Sequence, residues 1–266
     1  MHDRRPFAVV TGACKGIGYE LARIFAKNGY DLMITADSNQ IEEAGRELGT
    51  LGTTVQTVES DLAKYEGVEK LWQTVESTGR PVDAIAINAG VGVGGKFLET
   101  DLEEELNLIQ LNVISTVHLA KLVVQQMAAR GAGKILFTSS IAGTMPTPLE
   151  AVYGASKAFI LSFSKSLRYE LRDTGITVTA LQPGPTDTNF FRRAGMDDTD
   201  VGSEGKYTND PAEVAEQGFR ALMDGKDHIY ASPMKTKAQG ELGKFVPEST
   251  KAKMQEKQSK PKSKAS

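Results

Sequence analysis

Seven short apolar runs, at residues 7–11, 30–36, 54–58, 82–87, 134–138, 176–181 and 228–231, alternate along this chain with helix-length stretches. Runs of this length suit strands buried on both faces, and a helix between successive strands is the crossover that parallel pairing needs. The pattern predicts an α/β fold: a doubly wound, seven-stranded parallel sheet with helices on both faces and right-handed crossovers. Helices are expected over 41–48, over a long stretch at 102–127 stopped by Gly131, and from Pro148, read as a first-turn proline, to near Gly175. In such a sheet ligands bind beyond the carboxyl ends of the strands. The Gly-, Asn- and Ser-bearing motifs here all fall at those ends, which predicts a single site.

Composition narrows the class. At 266 residues, 40% hydrophobic and 24% charged, the chain can bury one large core. Residues 1–231 read as that domain. Residues 232–266 carry nine Lys against three Glu and few aromatics, and read as a flexible, Lys-rich C-terminal tail. The tail's +6 leaves the body at −9, which argues against nucleic-acid binding. No apolar run approaches the roughly 18 residues of a membrane span, and MHDRRPFAVVTG enters a strand with no signal-peptide core. A single cysteine, Cys14, fits a cytoplasmic location. His2, His118 and His228 are scattered, so no metal site is expected.

Three motifs bear on chemistry. TGACKGIG, residues 11–18, joins the first strand to its helix. Gly12 permits the turn, Gly16 lets backbone approach a pyrophosphate, and Gly18 lets helix and strand pack closely, with the helix N-terminus facing the phosphates. GVGVGGK, residues 90–96, matches a phosphate loop in part, but residue 97 is Phe where a Mg²⁺-binding Ser or Thr belongs. Tyr153 and Lys157 stand four apart on a helix marked by Ile160, Phe163, Leu167 and Leu171. They share a face at about 5–6 Å between Cβ atoms. An ammonium that close should lower a phenol, normally near 10, by roughly 1–3 pH units, and so suit it to proton transfer.

Taken together, the chain resembles the compact short-chain dehydrogenase/reductase family over residues 6 to 231. The matching positions are TGACKGIG, Asp61-Leu62, Asn88-Ala89-Gly90, Asn112, Ser140, Tyr153-x-x-x-Lys157 and Pro183-Gly184-Pro185-Thr186-Asp187-Thr188. Ile87 stands where the family often has Asn, and Cys14 where it often has Ser. The resemblance implies a Rossmann-like sheet, an NAD(P) cofactor, and an oxidoreductase that moves a hydride between nicotinamide and a carbonyl or secondary alcohol carbon. It implies Tyr153 as general acid or base and Ser140, rather than Ser139, as the group that binds the reacting oxygen. Lys157 would hold the ribose hydroxyls and lower Tyr153, and Asn112 would hold a relay water. Thr11, Gly12, Lys15, Gly16, Ile17, Gly18, Asp37, Asp61, Leu62, Asn88, Ala89 and Gly90 would contact the cofactor. Pro183, Gly184, Thr186 and Thr188 would close over its nicotinamide end.

Cofactor choice stays open. Lys15 stands where the family often places a base for the 2′-phosphate of NADPH, while Asp37 stands one place past the usual acid of NADH enzymes. Met145, Phe190 and Phe191, with Val91, Val93, Pro146 and Met196, would line an apolar pocket suited to a small lipophilic carbonyl or alcohol substrate. The family's habit of pairing its long helices implies a homodimer or homotetramer. A non-catalytic dinucleotide-binding regulator is the alternative, and a sugar-nucleotide epimerase would need a further substrate domain.

Overall fold

The computed structural model describes residues 4–196, 198–200, 209–231 and 248–260. Strands β1 (Phe7–Thr11), β2 (Asp31–Ala36), β3 (Val55–Glu59), β4 (Ala84–Ile87), β5 (Gly133–Thr138), β6 (Ile176–Pro183) and β7 (His228–Ala231) form one parallel sheet. Its order is β3-β2-β1-β4-β5-β6-β7. The order runs outward in both directions from the β1–β4 pair, so the winding reverses there and a crevice opens at the carboxyl edge.

Alternation along each strand sends side chains to two cores. Ala8, Val10, Leu32 and Ile34 face α1 (Gly16–Lys27), α2 (Gln40–Gly49) and α8 (Pro211–Met223), meeting Leu21, Phe25, Ile41 and Phe219. Phe7, Val9, Met33, Ile85 and Phe137 face α3 (Tyr65–Ser77), α5 (Ser115–Arg130) and α6 (Ala151–Glu170), meeting Leu71, Trp72, Val123 and Ile160. Burial on both faces explains why β1, β2 and β4 read as continuous apolar runs, whereas the edge strand β3 carries exposed Gln56 and Glu59.

The structure differs from the sequence reading in several places. Strand ends shift by one or two residues; β6 runs on to Pro183 because Gln182 and Pro183 lie opposite Tyr230 and Ala231. The expected long helix is α4 (Leu102–Ile109), a π turn (Gln110–Ile114) and α5, which ends on the left-handed Gly131. Asp101 caps α4 by accepting from the amides of Glu103 and Glu104. The run Leu102–Arg130 is long and apolar enough to pass for a membrane span. Here one side of it packs on the sheet, with Leu108, Asn112, Thr116 and Val123 buried. Pro148 precedes α6 instead of opening it. Glu150 is the N-cap, because Leu149 turns the chain with φ of 69°. Within the stretch read as a tail, residues 248–259 form a helix, α9 (Glu248–Ser259). The rest of the tail, 232–247 and 261–266, lies outside the described residues.

Candidate active site

Helix α6 carries Tyr153 and Lys157 on its buried side, 9% and 4% exposed. The Lys157 ammonium lies 5.7 Å from the centre of the Tyr153 ring and donates to the Thr138 carbonyl at 3.1 Å. Ser140 opens the 3₁₀ turn Ile141–Thr144 at the end of β5, its Oγ accepting from the Ala142 amide. Gly143 lets that turn rest on α6: a Cβ there would come 2.6 Å from the Lys157 carbonyl carbon. Ser139 donates its hydroxyl to the Lys157 carbonyl at 2.7 Å and is thereby occupied, leaving Ser140 beside Tyr153.

The electrostatics correct one expectation. Burial pushes the Tyr153 phenol well above its ordinary value; the Ser140 hydrogen bond works downward and the Glu150 carboxylate upward. Burial also pushes Lys157 down, to about 8. Both groups are desolvated together, and desolvation outweighs the expected pull of the ammonium on the phenol.

Asn112 is fully buried in the π turn. Its side-chain carbonyl accepts from the Val91 amide, and its NH₂ donates to the Val91 carbonyl and to Ser156 Oγ, each at 3.0 Å. The amide therefore ties the loop after β4 to α6, and the widened turn is a form common at functional sites. Gly90 lies against this tie, since a Cβ there would meet Asn112 Oδ1 at 3.1 Å and Lys157 Nζ at 3.2 Å.

The carboxyl ends of β1, β4 and β5 are bound together through side chains. Thr11 Oγ1 accepts from the amides of Asn88 and Ala89, both at 2.9 Å. Asn88 donates to the Thr11 carbonyl and accepts from Thr138 Oγ1. Gly12 has φ of 65°, and a Cβ on it would strike Ala89. Lys15 is the extended N-cap residue of α1 and makes no side-chain cap, so the amides of the first turn have no side chain on them. Ile17 packs into the core from the same turn, and a Cβ on Gly18 would overlap the Gly12 carbonyl. Leu62 is buried after β3, while Asp61 accepts from the Ala63 amide in an exposed turn.

The segment after β6 folds back over this edge. Thr186 bonds the Gly184 carbonyl, and the Thr188 methyl reaches Gly16 so closely that a Cβ there would lie 2.9 Å away. Pro183 is buried at the strand end, its carbonyl 3.4 Å from Ser140 Oγ. On α7 (Phe190–Arg193), Phe190 tilts against the Tyr153 ring at 5.1 Å. Gly92 and Gly94 leave room for Phe190 and Met196, which accounts for the phosphate-loop look of residues 90–96. Met145 leaves the 3₁₀ turn in extended form, half-buried. Phe191 packs instead on Ala194 and Met196, and Met196 is itself core.

The residues fit a nicotinamide dinucleotide. Three glycines with no space for a Cβ, Gly12, Gly16 and Gly18, stand along one crevice with uncapped helix amides and a buried lysine with ammonium protons to spare. The profile of the short chain dehydrogenase family matches residues 6–198. The chain is a short-chain dehydrogenase. It is 34% identical over 196 residues to oxidoreductase UcpA of Salmonella typhimurium, covering 72% of this chain and 74% of that protein. It is 33% identical to 1-deoxy-11-beta-hydroxypentalenate dehydrogenase of Streptomyces exfoliatus, covering 86% and 83%. A short-chain dehydrogenase from Sphingobium yanoikuyae in complex with NADPH superposes with a TM-score of 0.79 at 26% identity, covering 91% and 96%. As a short-chain dehydrogenase, the protein is an oxidoreductase that uses NAD(P).

Sequence reasoning missed four residues around this site. Thr138 holds both Asn88 and Lys157, and Ser156 holds Asn112. Glu150 is a buried carboxylate one turn before Tyr153, and Arg193 pairs with Asp37. Thr138, Glu150 and Ser156 all lie within or beside the motifs at Ser140 and Tyr153-x-x-x-Lys157, but nothing in their spacing told their contacts; Arg193 lies outside any motif.

Proposed function

We propose that the short-chain dehydrogenase interconverts a small lipophilic carbonyl compound and its secondary alcohol, with Tyr153, Ser140, Lys157 and Asn112 as its working residues. The observation that carries this reading is the buried Tyr153–Lys157 pair of α6, with Ser140 on one side and Phe190 against the phenol ring. In reduction, the phenol of Tyr153 gives its proton to the substrate oxygen, and in oxidation the phenolate takes it back. Ser140 donates a hydrogen bond to the same oxygen and holds it beside Tyr153. Lys157 binds the ribose hydroxyls with the ammonium protons that Thr138 leaves free. Asn112 keeps the Gly90 loop against Lys157. When bound, the nicotinamide supplies or accepts the hydride. The α1 amides behind Gly12, Gly16 and Gly18 receive its pyrophosphate, with Thr188 above them. Met145 and Phe190 supply apolar lining, which favours a lipophilic substrate.

Two-fold pairing is the second part of the proposal. Leu102, Leu106, Ile114 and Val117 on α4–α5 and Phe159 on α6 are exposed. Large apolar side chains left exposed on these helices support an interaction face, and closed symmetry makes a homodimer or tetramer its simplest use.

The test of function is oxidation of NADPH and of NADH by purified protein with a panel of ketones and aldehydes of increasing apolar size. Turnover that improves with apolar size is expected. A folded protein that binds either cofactor and turns over none of the panel would favour the regulator instead.

A further inference from the structure

Asp37 leaves the end of β2 and meets a partner from far along the chain. Arg193 Nη2, on α7 after β6, donates to Asp37 Oδ2 at 3.2 Å across 156 residues of sequence. Both side chains are about half exposed, 58% and 50%. Lys15 stands on the neighbouring loop, so three charges converge where β1 and β2 end. The Cys14 thiol registers all of them: burial and Asp37 push it up, while Lys15 and Arg193 oppose. Two carboxylates, Glu43 and Glu47, line a hollow of about 230 Å³ beside Cys14 and Lys15, and Glu47 accepts the Tyr19 hydroxyl.

We propose that Arg193 is a residue of cofactor selection: it exchanges Asp37 for the 2′-phosphate of NADPH, and stays on Asp37 when NADH is bound. The inference rests on the reading of this crevice as the dinucleotide site. The charges give the reason. Asp37 alone repels a 2′-phosphate, which carries close to two negative charges near neutral pH, and Lys15 alone offsets part of that repulsion. An exposed carboxylate–guanidinium pair gains little in water, so it exchanges readily. A phosphate offers Arg more charge and a matching geometry for two parallel hydrogen bonds. With Arg193 counted, two cations stand against the one carboxylate of Asp37, which tilts the balance toward NADPH despite Glu43 and Glu47 behind the loop. Arg193 also shares one helical turn with Phe190, so the residue that grips the phosphate is carried on the element that touches Tyr153.

The experiment compares binding of 2′,5′-ADP and 5′-AMP by calorimetry in wild type, Arg193→Ala and Arg193→Lys, with melting temperatures to confirm folding. Arg193→Ala is expected to weaken 2′,5′-ADP by about tenfold, the scale of one lost charge-assisted contact, and to leave 5′-AMP within about twofold. Arg193→Lys keeps the charge and is expected to keep most of the discrimination. The NADPH/NADH ratio of kcat/KM should fall in parallel for Arg193→Ala. Equal weakening of both nucleotides, or a 2′,5′-ADP affinity within about twofold of wild type, would overturn the assignment while leaving the dinucleotide site intact. Failure of wild type to bind either nucleotide, or either whole cofactor, would overturn the inference and the cofactor reading together.

Discussion

Burying an ammonium group is unfavourable, and Lys157 is buried with one backbone carbonyl as its recorded acceptor. Burial moves it from 10.5 down to about 8. Between those two values the unfolded chain binds more protons than the folded one, so stability rises with pH across that window. Wild type should therefore gain on Lys157→Met as pH goes from 8 to 10, by at most about 1.4 kcal/mol per pH unit. Urea unfolding of both proteins at pH 7, 8, 9 and 10 measures this. A constant gap would mean that Lys157 keeps its ordinary basicity. Gly143 offers a second residue-scale test. A Cβ there would enter the Lys157 backbone at 2.6 Å, and backbone does not yield as a flexible side chain does. Gly143→Ala should destabilise by about 1–3 kcal/mol. It should also lower kcat more than cofactor affinity, because it displaces the turn that holds Ser140. Equal stability and unchanged kcat would show that the turn has slack.

At the scale of elements, α9 is the addition. Its Ser259 hydroxyl and Gln255 amide both donate to Glu150 Oε2, at 3.1 and 3.4 Å. Glu150 is 5% exposed and stands at the N-cap position of the helix that carries Tyr153. Burial raises the Glu150 carboxyl and these two donors lower it. Deleting residues 248–266 would strip a buried acid of both donors. Hydrogen bonds to charged groups contribute about 1.5–3 kcal/mol, so the melting temperature should fall by roughly 3–10 °C. An unchanged melting temperature and kcat/KM would mean that α9 does not hold Glu150 in solution. What the sequence revealed and what it hid follow from the range of the forces. The central strands were legible because they are buried on both faces and so are almost wholly apolar, while β3 and β7 at the sheet edges, only partly buried, were read from their place in the alternation. Tyr153 and Lys157 were legible because their spacing is local. The π turn at Asn112 was not, since one extra residue in a helical ladder leaves the apolar period nearly intact. The α9–Glu150 contact and the Asp37–Arg193 pair were hidden for another reason: each joins residues more than a hundred positions apart, and no local spacing encodes it. Helix α9 also lacks an apolar face, so its sequence reads as a solvated tail.

At the scale of the whole molecule, the sheet brings the ends of β1, β2, β4, β5 and β6 to one edge, and α6 and α7 meet above it. The same architecture leaves large apolar side chains exposed on α4–α5 and α6, and a dimer or tetramer mass by light scattering at micromolar concentration is expected. A monomer would refute the pairing. The claim that joins the parts is that this edge is one catalytic site whose proton moves through Tyr153. The direct measurement is kcat for carbonyl reduction by wild type and Tyr153→Phe, each shown to be folded and to bind NADPH or NADH. General acid catalysis by a placed side chain contributes about 10²–10⁴-fold. The Phe variant should therefore bind cofactor as wild type does and retain about 1% of kcat or less. A folded, cofactor-binding Phe variant that keeps more than about a tenth of kcat, well above what loss of a general acid allows, would contradict it.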